Sequence, residues 1–126
     1  MKTISNLVLV MALTLFIVHE IDAMTHHEWR LLPMLGGLND DVARQVFVLL
    51  HIPIFFGLIW SLFLTSWRQW AARIFCVLLV IHGCAHFMLS GHEFYSFIPP
   101  IETITVYGAA LSGIIYLVVG LKKERK

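Results

Sequence analysis

The stretch Ile4–Met24, which reads ISNLVLVMALTLFIVHEIDAM, decides the architecture. It is almost continuously apolar from Leu7 to Val18 and has the ~20-residue length that a helix needs to cross a bilayer core. Lys2 ahead of an apolar run is also how a secretory signal begins. Here, however, His19, Glu20 and Asp22 stand where a small-residue cleavage site belongs, so the segment is expected to remain as a helix. Three further stretches of spanning length follow: Val42–Thr65, Trp70–Ser90 and Ile101–Leu121. Residues 1–126 therefore read as a single all-α membrane domain, a four-helix transmembrane bundle with nothing left over for a soluble domain.

Composition agrees with this reading. Apolar residues make up 59% of the chain against nine basic and eight acidic side chains, and the mean hydropathy is +0.81, far from a water-soluble composition. A formal charge of +1 offers no basic surface for nucleic acid. Cys76 and Cys84 fall within one apolar segment, ~12 Å apart on a helix and too far to bridge each other.

The connections set the boundaries. The loop His26–Gly37 mixes apolar and polar residues and is expected to lie along the membrane surface, with Glu28 and Arg30 as a solvated pair. Asn39-Asp40-Asp41 reads as a helix start, a short polar cap followed by acids at the positive end of the helix dipole, and Arg44 is expected to pair with one of those acids. Trp67-Arg68-Gln69-Trp70 reads as a tight basic turn, Gly91 as the close of the third helix, and Pro99-Pro100 as the opening of the fourth. Lys2, Arg68, Arg73, Lys122, Lys123, Arg125 and Lys126 would share one face of the membrane, opposite all the acids except Glu124. By the positive-inside rule, both termini are expected in the cytoplasm.

The polar residues converge at the other end. All seven histidines fall in the helix halves remote from the termini or in the loops there. Counting ~1.5 Å per residue, His51 and His82 lie ~14 Å below that end and His19 and His86 ~7 Å. His82 and His86 are an i, i+4 pair leaving the same face of the third helix; His19, Asp22 and His26 share a stripe on the first, while Glu20 points toward Met24 and His27. Glu102 starts the fourth helix and leans toward the same region. Imidazoles and carboxylates at such spacings across a bundle build zinc, iron, manganese or copper sites. Ionisable groups inside spans are rare and usually mark function. The expected site is a transition metal, zinc or iron, ligated by His19, His51, His82 and His86, with Glu20 or Asp22 as the catalytic carboxylate.

Other residues have plainer readings. His26, His27 and His92 read as interfacial, and Cys84 as a packing residue on another face. Trp29, Trp60, Trp67, Trp70 and Tyr95 read as interface anchors, Tyr107 as packing, and Pro53 as a kink in the second helix. Gly108-x-x-x-Ser112 and Ala109-x-x-x-Gly113 form a small-residue stripe that allows close approach within the bundle, with a homo-oligomer through helix four as the lesser alternative.

The segment His19-Glu20-Ile21-Asp22-Ala23-Met24, followed by His27-Glu28-Trp29-Arg30-Leu31 and later His51-Ile52-Pro53, resembles a family of small bacterial integral membrane proteins of unknown function. The resemblance spans most of the chain and implies a bacterial inner membrane; it brings no activity with it. Only His82-x-x-x-His86 is similar to the boxes of membrane di-iron desaturases, whose consecutive-histidine box has no counterpart here beyond His26-His27.

Three functions follow as expectations. The first is a metal-dependent membrane enzyme in which the ion activates water or handles oxygen. The second is electron transfer by a b-type haem with His51 and His82 as axial ligands and a quinone as partner. The third is a structural or transport-associated subunit without a cofactor. In each case the lipid bilayer is the surrounding partner, and a lipophilic substrate or quinone is the natural small molecule.

Overall fold

A computed structural model describes the backbone of residues 2–124 and the side chains of residues 4–120. The described residues form four long helices and no strand: α1 (Lys2–Thr25), α2 (Asp40–Phe63), α3 (Arg68–Leu89) and α4 (Gly108–Glu124), the last entered through a π-helical turn at Thr103–Tyr107. Each is long and apolar enough to cross a membrane. The charged side chains of Lys2, Lys122, Lys123, Glu124, Arg125 and Lys126, on which the expected orientation leans, lie outside the described ones.

Local chemistry explains the ends. The Asn39 side chain accepts the Asp41 N–H at 3.1 Å, capping α2, and Asp40 and Asp41 fill its first turn. α1 stops where His27 takes a left-handed conformation (φ 56°), turning the chain inward into a single 3-10 turn at Glu28–Leu31. α2 runs unbroken through Pro53.

Helices α1, α3 and α4 make the body of the bundle by presenting small side chains to one another. Ala12, Ala72, Cys76 and Ala109 are buried there beside Leu9, Leu13, Phe75 and Leu79. A Cβ on Gly113 would come 2.9 Å from the Cys76 carbonyl oxygen, and one on Gly83 3.0 Å from Ala110 Cβ. The small-residue stripe of α4 is thus used within the bundle. α2 stands to the side: only 11% of its apolar window is buried, against 33% for α3. A second cluster of Ala23, Trp29, Leu35, Ala43, Phe47 and Phe97 ties α2 to the rest at the end remote from the termini. Large apolar side chains such as Ile21, Ile52, Phe56, Met88 and Ile104 point outward, where a soluble protein would expose polar ones.

Candidate metal centre

The inward turn after α1 does what the sequence did not suggest. Trp29 is buried to 1% exposure and its indole N–H donates to Asp40 Oδ1 at 2.9 Å. Arg30 grips both oxygens of the same carboxylate, at 2.8 and 3.0 Å. The turn is therefore latched to the start of α2, and Gly36 passes so close that a Cβ there would lie 2.8 Å from the Arg30 carbonyl oxygen. Between the latch and α1, Glu28 points into the bundle and is 8% exposed. The expected Glu28–Arg30 surface pair is corrected on both sides, since Glu28 is buried and Arg30 belongs to Asp40, the acid offered to Arg44. Trp29 is likewise a core residue and no interface anchor.

Glu28 meets three imidazoles. His19 comes from α1 and His82 and His86 from one face of α3, with ring centroids 4.7–4.9 Å apart in all three pairs. His19 Nε2 lies 3.4 Å from Glu28 Oε2, and His86 Nε2 3.7 Å from Glu28 Oε1. One ligand atom from each of the four residues lies within 4.8 Å of every other. Burial pushes the Glu28 carboxyl up, but the imidazoles beside it outweigh that and hold it well below the usual carboxylate range.

A second ring of contacts sets the imidazoles. Tyr95 donates its hydroxyl hydrogen to Glu102 Oε1, so its oxygen is free to accept from His86 Nδ1–H at 2.9 Å. That contact occupies His86 Nδ1 and leaves Nε2 on the side of Glu28. Tyr95 is therefore a partner of the cluster and not the interface anchor expected. Glu102 is buried at the same place, as its lean suggested. Phe97 covers the His19 and His86 rings at 5.5 and 4.9 Å.

The other expected residues lie apart. His51 donates Nδ1–H to the Phe47 carbonyl at 2.6 Å and places Nε2 2.7 Å from Glu20 Oε2, so both of its ring nitrogens are occupied. Its ring contacts run to Phe55, then Phe16, then His82. Asp22 lies 3.5 Å from His26, whose other ring nitrogen reaches Ser96. Cys84 and His92 are exposed. Glu28 could have been suspected from the apolar residues around it, of which Trp29 and Leu35 are buried.

Fold and site together define a small all-α protein whose four helices can span a membrane and enclose a histidine and glutamate cluster. Residues 5–123 match the model of a family of unknown function, DUF6713, and the chain belongs to that family. No curated protein and no solved structure matches it.

Proposed function

We propose that His19, Glu28, His82 and His86 hold one transition-metal ion, zinc or iron, and that the protein is a metal-dependent membrane enzyme. One observation carries this reading. His19 Nε2, Glu28 Oε2 and His82 Nε2 are buried without a hydrogen-bond partner, and one ligand atom of each of these residues and of His86 lies within 4.8 Å of the others. Each such atom costs about 1–3 kcal/mol if left alone, and a single cation satisfies them together. Ligand atoms around a tetrahedral ion at ~2.0–2.1 Å stand ~3.4 Å apart, close to the 3.4 and 3.7 Å between Glu28 and its two imidazoles. Three histidines and a carboxylate suit zinc or iron rather than a thiolate-seeking ion.

Glu20, paired with His51 and next in sequence to His19, is the candidate base for water or substrate at the ion; Asp22, turned to His26, is the weaker one. A lipophilic substrate is supported by a cleft of about 710 Å³ between α2 and α3, whose lining includes Phe16 and His82. The bacterial inner membrane with cytoplasmic termini draws on the charge bias of the sequence. The haem alternative on His51 and His82 draws no support from the geometry, because His51 Nε2 is taken by Glu20.

Elemental analysis and an optical spectrum of one detergent-purified sample test the reading. The expected result is about one zinc or iron per chain without a Soret band, or stoichiometric uptake of cobalt with a tetrahedral visible spectrum. A Soret band would put haem in its place, and failure to bind any of the three metals would remove the centre.

A further inference from the structure

The cleft of about 710 Å³ between α2 and α3 is long and apolar. Ala71, Ile74, Leu78 and His82 follow one another in steps of three and four residues, so one face of α3 makes its long wall. Gly57 and Ser61 line it from α2, and a Cβ on Gly57 would meet no atom within 4 Å. Phe16 of α1 stands edge-on to Phe75 and His82, at 5.7 and 6.1 Å, and all three rings line the cleft. No charged side chain lines it among the described residues. Ile74, Leu78 and Ile81 line it and remain 55–58% exposed, so it is open to whatever surrounds the helices.

The two ends of the cleft lie at different depths. Ser61 stands two residues before the end of α2 and Trp67 just ahead of α3, where the spans meet the headgroup level that suits an indole. His82 lies eleven residues beyond Ala71, about 16 Å along the helix, and half of a ~30 Å hydrocarbon core is ~15 Å. The apolar length of the cleft is therefore that of one leaflet's acyl chain. We infer that the cleft seats one acyl chain of a bilayer phospholipid, with the headgroup beside Trp67 in the leaflet nearer the termini and the end of the chain against Phe16 and His82. With no charge lining the cleft, the chain is selected and the headgroup is not. The inference rests on the proposed function only for the chain's role, as the lipophilic molecule presented to a ligand of the ion; the seat itself needs no ion.

Photolabelling of the purified chain in mixed lipid and detergent micelles tests this. The probes are phosphatidylcholine and phosphatidylglycerol with a diazirine at the end of one full-length chain, a phosphatidylcholine with chains half as long, and the free full-length fatty acid. Both full-length phospholipids are expected to attach to the peptide holding Phe75–Ala85, equally and with or without bound metal, whereas the short one labels it far less. Gly57→Leu fills the cleft at a position with room for a side chain and should cut the labelling about tenfold. Gly120→Leu, where a Cβ also meets no atom within 4 Å but which lies outside the cleft, should leave it unchanged. Labelling spread evenly over the four helices, equal labelling by the short probe, a marked headgroup preference, preferred uptake of the free fatty acid, or unchanged labelling in Gly57→Leu would each overturn the seat. Such a result with metal content intact removes the seat alone; full labelling of a chain that binds no metal supports the seat and removes only the centre.

Discussion

Near the termini, α1 and α3 bury Ala12, Leu13, Ala72 and Cys76 in one apolar core with Ala109 of α4; at the far end the same two helices bury His19 and His86. The first half is complete in itself, because small apolar side chains close on one another and gain dispersion contacts without leaving a polar atom behind. The second half is not. His19 Nδ1 and Nε2, His82 Nε2 and Glu28 Oε2 have no hydrogen-bond partner there, so under the metal reading its stability would draw on the bound ion. The contrast separates the two ends of the same helices: apolar packing with α4 closes one, and the proposed ion would tie the other.

Removing a ligand should break this contrast most sharply. His82→Ala and His86→Ala are each expected to reduce metal content from about one ion per chain to near none and to lower the melting temperature, because metal binding here is also folding energy. Metal analysis and thermal shift on the same samples check it; variants that kept both would make the far half as self-sufficient as the near one. Glu28→Gln should behave like a histidine loss, since the shape stays but the anion is gone. Arg30→Gln, two residues on, should leave bound metal in place and loosen only the turn.

Outer contacts should matter less than ligands. Tyr95→Phe and Glu102→Gln free the Nδ1 side of His86 without removing a ligand, and metal affinity should fall about 10–100-fold while the fold survives. Competition with a chelator measures this. In the apolar half the pattern should invert: Gly113→Ala forces a Cβ to within 2.9 Å of the Cys76 carbonyl oxygen and should cost about 1–3 kcal/mol of stability with metal affinity unchanged. A parallel fall in affinity would show that the two halves are coupled. The smallest effect belongs to His92→Ala, on the exposed loop, which should alter neither metal content nor melting.

Much of this was legible in the chain. The four helices lie within a few residues of the apolar stretches that announce them, and His82 and His86 leave one face of α3 because four residues make just over one turn. Depth counted from helix ends placed His19 level with His86, and the two rings do meet. The same count grouped His51 with them, but depth along a helix says nothing about rotation around it, and α2 stands to the side with His51 turned to Glu20.

What the sequence alone determined is whatever depends on neighbours along the chain: spanning lengths, the Asn39 cap, and the spacing of histidines on one helix. Only the tertiary structure decided the company those histidines keep. Glu28 enters because His27 bends left-handed and Asp40, eleven residues after Trp29, latches the turn in place. Tyr95 reaches His86 because the loop after α3 folds back over it. Both depend on contacts between elements, where the direction of a side chain is set by packing and polar pairing rather than by its place in a periodic pattern.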